Sequence, residues 1–245
     1  MIQLVTFDFW ETLVSDSNEN RQAQDALRIR RLGAALERAG AGLTEPALTA
    51  AYHGTTKHLV EHFWSKQRDL SASEQVRAVL DCCAPGAAAR LGETEFQELV
   101  EGYGSPLLTY PPELSPGAAD AVRTLAERGI TLGIISNTGR TPGLVLRRIL
   151  EGHELLRYFT VLSYSDEIGY RKPDPAIFRH ALERAGTPVS AAFHVGDNPV
   201  DGVAGARSIG MRAVHYAPRG STLDGADLTI RHLAELPAEL FRVAS

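Results

Sequence analysis

Sulfur is scarce in this chain: 245 residues carry two cysteines and two methionines. Cys82 and Cys83 are adjacent, and neighbouring residues rarely bridge, so no disulfide framework is expected. A helix from Glu74 to Cys83 would bury at least one of them as a small hydrophobe. Long apolar runs are also missing. The first begins at Ile2 and stops at Phe7, where Asp8 interrupts it, and no basic region precedes it. Neither a signal peptide nor a membrane span is expected, and the reducing cytoplasm is the expected location. Nor is there any block of Lys or Arg. The 25 basic and 30 acidic residues are spread along the chain and give a net charge of −5, which argues against nucleic-acid and membrane partners. What remains is an ordinary globular composition, 44% hydrophobic and 22% charged. The length suits one large domain, or one domain with an insert.

The texture of the chain changes twice. Ile2 to Phe7 is too short for a helix and reads as a buried strand. From about Glu19 to Tyr103 the spacing is helical throughout, with Leu27, Ile29, Leu32, Ala35 and Leu36 interleaved with charged residues. Thr44 before Glu45-Pro46 marks a second helix running toward Trp64, Ser71 or Ser73 a third, and Thr94 a fourth over Glu95 to Tyr103. After Ser105-Pro106 the pattern alternates. Pro116-Gly117 opens an expected amphipathic helix with Ala118, Val122, Leu125 and Ala126, closed by Gly129, and further helices are expected over Leu144 to Leu150, Pro175 to Ala185 and Val200 to Ile209. Strands are expected over Ile130 to Ile135, Thr160 to Ser163, Ala192 to Val195 and Arg212 to His215, and a short strand and helix over Leu228 to Phe241 end the chain. Strands alternating with helices imply right-handed crossovers and a parallel sheet covered on both faces. The expected fold is therefore α/β, a doubly wound Rossmann-like core over 1–15 and 106–245, interrupted by a helical insert over 16–105.

In such a sheet, sites form outside the carboxyl ends of the strands. Four polar segments fall there. In Phe7-Asp8-Phe9-Trp10-Glu11-Thr12, a carboxylate ends a buried strand and a hydroxyl follows four residues later. A carboxylate can attack phosphorus or carbon, although a turn-capping Asp looks the same. In Ser136-Asn137-Thr138, a hydroxyl and an amide stand where a strand meets a loop and could donate to an oxyanion. In Arg171-Lys172-Pro173-Asp174-Pro175, two prolines hold Lys172 in a rigid loop, where its compact ammonium can neutralise charge. In Gly196-Asp197-Asn198-Pro199-Val200-Asp201, two carboxylates flank a strand-to-helix turn and supply the hard oxygens that suit Mg²⁺. Acidic residues at a helix start also favour its dipole.

Taken in order, a strand-ending Asp, a strand-ending Ser, a loop Lys and a Gly-Asp with a second Asp resemble the four signature motifs of the haloacid dehalogenase superfamily. The resemblance covers essentially the whole chain, and the helical insert resembles that family's cap domain of the first type. It implies a hydrolase with Asp8 as nucleophile and with Thr12 and Ser136 steadying the transferring group. Lys172 would neutralise charge between Asp8 and the substrate. Mg²⁺ would be held by Asp8, the backbone carbonyl of Trp10, Asp197 and Asp201. It further implies a small, phosphorylated substrate, in a monomer or a homodimer.

One position departs from the pattern. Family phosphatases carry a second Asp two residues after the nucleophile, as the general acid and base; here that residue is Trp10. Glu11 stands beside it, where the family usually has Gly. An aromatic residue does occur there in 2-haloacid dehalogenases, in which Asp attacks carbon and expels halide, but those enzymes tend to carry Ser where this chain has Asp197. The expected activity is therefore a Mg²⁺-dependent phosphatase. The alternatives are a haloacid dehalogenase and a phosphate- and metal-binding protein with little catalysis. Trp10, Glu11, Asn137, Thr138 and Arg140 are the expected substrate contacts near the nucleophile. From the insert, Tyr52, His53, Lys57, His58, Trp64 and Arg68 are candidates, with Trp64 more suited to packing. His58 and His62 lie one helical turn apart but read as a surface pair.

Overall fold

Runs rich in apolar and β-branched residues supply the main-sheet strands of the computed structural model, which describes residues 1–220 and 223–244; eight strands lie among those residues. β1 (Leu4–Phe7) is followed closely by β2 (Val14–Ser15), which pairs antiparallel with the distant β3 (Glu113–Leu114). The rest are β4 (Thr131–Ser136), β5 (Phe159–Tyr164), β6 (Ala192–Gly196), β7 (Arg212–Tyr216) and β8 (Leu228–Ile230). Six of them form one sheet in the order β5-β4-β1-β6-β7-β8, and every pairing in it is parallel.

Side-chain alternation decides how the sheet is covered. Val5, Phe7, Leu132, Ile134, Phe193 and Val195 face one apolar layer, which continues into α6 (Ala118–Glu127), α7 (Gly143–Gly152) and α11 (Leu236–Ala244). Leu4, Ile135, Val161 and Ala192 face the other, with Ile177, Phe178 and Ala181 of α9 (Pro175–Ala185). Buried on both faces, the strands read as nearly continuous apolar runs.

Between β2 and β3 lie α1 (Asn18–Arg38), α2 (Glu45–His62), α3 (Ala72–Cys83) and α4 (Glu93–Gly104), then the short α5 (Pro106–Thr109). The first four close around an apolar cluster of their own, which includes Leu32, Leu36, Tyr52, Val79, Leu80 and Phe96. Ser71 caps α3 with Glu74 answering from the third position. The fourth helix starts earlier than its Thr94 cap predicted: Glu95 accepts the Gly92 N–H at 3.1 Å, so the first turn begins at Glu93. Burial of a cysteine holds only in part, since Cys83 is half-buried against the cluster and Cys82 is exposed. The helix expected over Val200 to Ile209 is a π-helical turn (Pro199–Ala204) running into α10 (Gly205–Ser208). The β2–β3 ribbon was not foreseen, because two-residue strands carry no periodicity. Among the described residues, no helix is long and apolar enough to cross a membrane.

The start of α7 is packed closely against the end of β5. A Cβ on Gly143 would stand 2.5–2.7 Å from three atoms of Tyr164, whose ring is fully buried. The Gly143 N–H is taken by the carboxylate of Asp166, 3.2 Å to each oxygen, in α8 (Ser165–Ile168). Burial outweighs that hydrogen bond and pushes the Asp166 carboxyl up to about 6. Gly143→Ala should therefore cost about 1–3 kcal/mol by overpacking, read as a lowered urea midpoint. Asp166 binds its proton more readily folded than unfolded, so its contribution to stability grows as pH falls from about 6 toward 4. Asp166→Asn should raise stability at pH 7–8, with the gain gone by pH 4; an equal gain at both would show that charge burial is not the cause.

Candidate active site

The strand order puts β1 between β4 and β6: the chain runs from β1 to β4 and β5 on one side, then returns to β6, β7 and β8 on the other. This is the switch point at which the strand ends splay and leave a crevice. Phe7 sits in register with Ile134 on one side and Val195 on the other. Asp8, Ser136 and Asp197 therefore emerge side by side. The Asp8 N–H still donates to the Val195 carbonyl at 2.8 Å, which fixes the level at which its carboxylate leaves the sheet.

Asp8 and Lys172 form the centre. Lys172 Nζ stands 2.5 Å from Asp8 Oδ2, with the side chains 1% and 10% exposed. Asp8 Oδ1 accepts the Phe9 N–H at 2.7 Å. Both main-chain groups of Lys172 are held by one amide: its N–H donates to Asn137 Oδ1 at 2.8 Å, and its carbonyl accepts from Asn137 Nδ2 at 3.0 Å. Asn137 thus fixes the lysine-bearing loop against the end of β4. Its Nδ2 also lies 3.4 Å from Asp201 Oδ2.

The turn after β1 is tight, with the Leu13 and Val14 N–H groups both donating to the Phe9 carbonyl. That brings Thr12 Oγ1 back to the Asp197 N–H, which donates at 3.1 Å, while the hydroxyl donates to Asp197 Oδ1 at 3.4 Å. Asn198 caps the following turn, accepting from Val200 and Asp201 N–H, an Asx cap of the kind its position before Pro199 signals. Burial, with the Asp8 charge second, pushes the Asp197 carboxyl up to about 6, and burial also raises Asp201. Among the described residues, no three His, Cys, Asp or Glu side chains are close enough to form a metal shell by themselves. Ser136 Oγ is buried with no hydrogen-bond partner, a free hydroxyl at the end of β4.

The remaining sequence candidates are placed as follows. Glu11 takes a left-handed backbone (φ 54°), and its half-exposed carboxylate pairs with Arg21 at 2.6 Å. Trp10 is partly buried, packs against the apolar layer and meets Phe9 edge-on at 5.0 Å. Thr138 turns to Ser165, its N–H donating to the serine oxygen at 2.9 Å. Arg140 reaches into the helical insert: it hydrogen-bonds Tyr103 Oη, Thr56 Oγ1, Thr55 Oγ1 and the Tyr52 carbonyl, and lies over the Tyr52 ring. His58 and His62 stack at the surface with ring centroids 4.3 Å apart. Trp64 donates to Asp69 at 3.0 Å and lies under Arg171. The sequence reading missed His194, fully buried with Nδ1 3.0 Å from Thr6 Oγ1, and His215, whose Nε2 is 3.2 Å from the Asp197 carbonyl. Histidines inside apolar strands give no signal of what stands opposite.

Comparison with known proteins points to one family. The family described as haloacid dehalogenase-like hydrolase matches residues 2–210. The chain is 34% identical over 132 residues to haloacid dehalogenase-like hydrolase domain-containing protein 3 of Danio rerio, covering 52% of this chain and 53% of that one. It is 39% identical over 126 residues to phosphoserine phosphatase of Thermus thermophilus, covering 51% and 47%. The chain spans about half the length of these curated relatives. Among solved structures, 2-haloacid dehalogenase from Pseudomonas syringae pv. Tomato superposes with a TM-score of 0.68 at 29% identity, over 99% of this chain and 100% of that one. The family match runs from the first strand past the Gly196–Asp201 turn and takes in all four polar segments: the protein belongs to the haloacid dehalogenase-like hydrolases.

Proposed function

We propose that the protein is a Mg²⁺-dependent phosphatase that hydrolyses a small phosphorylated metabolite through an aspartyl-phosphate at Asp8. The observation that carries this reading is the charge at the strand ends. The Asp8 charge is close enough to raise the Asp197 pKa, and among the described residues the ion pair of Lys172 is with Asp8. A second, partly buried carboxylate beside the nucleophile is unfavourable unless a cation is shared between them. The donor set fits Mg²⁺, which keeps several waters and needs only one or two carboxylates besides substrate phosphate. Asp8, Asp197, Asp201 and the Trp10 carbonyl would hold it. When bound, it would supply Lewis-acid polarisation of the phosphoryl oxygens and cancel charge repulsion.

The chain's own residues then divide the work. An Asp8 carboxylate oxygen forms a bond to phosphorus as the bond from phosphorus to the leaving oxygen breaks. Lys172, held by Asn137, neutralises charge shared by Asp8 and the phosphoryl group. Ser136 Oγ and Thr12 Oγ1 are the hydroxyls available to steady it. Water then attacks phosphorus, the bond to Asp8 breaks, and inorganic phosphate leaves with the surplus proton passing to solvent. We propose further that residues 16–105 form a cap over a core of 1–15 and 106–245, that it excludes water and sets specificity, and that the protein acts in the cytoplasm as a monomer or a homodimer.

A second reading has its own support: Trp10 in place of an acid, and the likeness to a 2-haloacid dehalogenase along the whole chain. Phosphate release from a panel of phosphomonoesters, with Mg²⁺ and with chelator, separates the two. Mg²⁺-dependent release that disappears in Asp8→Asn, with the fold intact, is the expected result. Release of halide from 2-haloacids with no phosphate release would replace the phosphatase reading.

With no carboxyl at position 10 and Glu11 committed to Arg21, the leaving oxygen receives little help with its proton. Turnover should then fall steeply as the leaving group becomes more basic, aryl phosphates outrunning alkyl ones. Trp10→Asp should flatten that dependence and speed alkyl phosphates, toward the roughly 10²-fold that general acid help supplies at the low end. An unchanged slope would mean that another group already supplies the proton.

A further inference from the structure

We infer that Asp69, in the helical insert, is a positioning residue that seats two active-site loops at once: the one after Ser136 and the one that carries Lys172.

Asp69 lies far from Asp8 in sequence and in no motif. Its side chain is fully buried and takes three donors from elsewhere in the chain. Arg171 Nη1 stands 2.6 Å from Oδ2, Ser165 Oγ donates to the same oxygen at 2.5 Å, and the Trp64 indole N–H donates to Oδ1 at 3.0 Å. Two of these lead straight into the site. Arg171 is the neighbour of Lys172. Ser165 Oγ in turn accepts the Thr138 N–H at 2.9 Å, two residues past Ser136. One carboxylate is therefore one hydrogen bond from the loop that carries Lys172 and two from the loop after Ser136.

The main chain repeats the connection. The Asp69 N–H donates to the Gly169 carbonyl at 3.1 Å and the Arg171 N–H to the Gln67 carbonyl at 3.0 Å. Arg68 and Tyr170 bridge antiparallel, with the guanidinium 4.0 Å from the ring centroid. For the chain to lie this way, Gln67 adopts a left-handed backbone at φ 58°, an uncommon conformation for a residue other than glycine. Asn137 holds Lys172 from the core side, as described above; Asp69 holds the preceding residue from the insert. A buried charge pair is tolerable only when its geometry and its remaining hydrogen bonds are satisfied. Shifting the insert away from the core therefore releases Arg171 and Ser165 together, and the ammonium of Lys172 loses its second anchor. Contact between the insert and the core becomes a condition for the alignment of the catalytic groups.

Hydrogen exchange of the unliganded protein, read by mass spectrometry, tests the coupling without any substrate. The amides of Thr138 and Arg171 are direct reporters, since each is bonded within this network. Asp69→Ala should raise exchange over 137–141 and 169–172 by about 10-fold or more, as local opening rather than global unfolding. Asp69→Asn keeps the shape and should give the same pattern more weakly, which covers unfolding of the alanine variant. Ser165→Ala should release 137–141 and spare 169–172. Ser71→Ala, confined to the α3 cap, should alter neither segment. The kinetic part rests on the phosphatase reading: kcat of Asp69→Ala should fall by about 10²-fold, the cost of a misplacement of roughly 1 Å, with KM within about twofold. Exchange that rises only within the insert in Asp69→Asn, or a Ser165→Ala variant with 137–141 unchanged, would overturn the inference. If the wild type hydrolyses no phosphomonoester, the phosphatase reading falls and the exchange pattern still decides the coupling.

Discussion

A buried ammonium facing a buried carboxylate governs the architecture of this site. Lys172 and Asp8 are buried as a pair, and removing one partner of such a pair typically costs about 3–5 kcal/mol. The surrounding structure accordingly fixes both ends. The sheet delivers Asp8 at a defined level through the Val195 carbonyl, and Asn137 takes both main-chain groups of Lys172. Lysine has a long flexible stem and a point charge, so its position depends on how firmly its backbone is held.

That pair leaves the site short of positive charge. Asp197 and Asp201 share the same strand ends, and both have carboxyls pushed up by burial. Lys172 offsets part of this at both carboxylates and Arg171 part of it at Asp201, but burial outweighs them. Thr12 and the Asx turn at Asn198 satisfy hydrogen bonds without adding a cation, and His194 and His215 lie behind the site as buried histidines, His194 with its pKa driven well below the ordinary value. A cation shared by these carboxylates would offset the burial that raises them. In the proposed function, that is the physical reason for a divalent cation.

The fold was legible wherever burial imposes a period. Pro175 to Ala185 is recovered residue for residue because Asp174 caps it, Pro175 opens it and Gly186 closes it. The parallel strands were legible as apolar runs bounded by polar ends. The first residue of each active-site loop was legible for the same reason, since a polar side chain ending a buried strand is conspicuous. What stayed hidden depends on partners remote in sequence. Nothing around Asp69 announces Ser165 and Arg171, about a hundred residues away. Arg140 reads as a loop arginine beside Ser136, and only the packed insert shows its guanidinium shared among α2 and Tyr103. The β2–β3 ribbon joins segments about a hundred residues apart through two residue pairs, which is too little for any pattern to register.

The tension between Trp10 and Asp197 resolves once their surroundings are compared. Trp10 belongs to the packing: its ring meets Phe9 and rests on the apolar layer, so its place in the turn is set by what the core can accommodate. Asp197 belongs to the polar centre, where Thr12 engages both its N–H and its carboxylate and the charge of Asp8 is felt. A carboxylate kept there at the expense of desolvation has no packing role to justify it, whereas an aromatic ring at position 10 has. Trp10 therefore says what the turn needs in order to fold, and Asp197 says more about the chemistry. The turn that accommodates Trp10 also sends Glu11 outward to Arg21. Under the phosphatase reading proposed above, the cost of that arrangement would fall on the leaving group, and the site would suit substrates whose leaving oxygen departs without a proton from the protein.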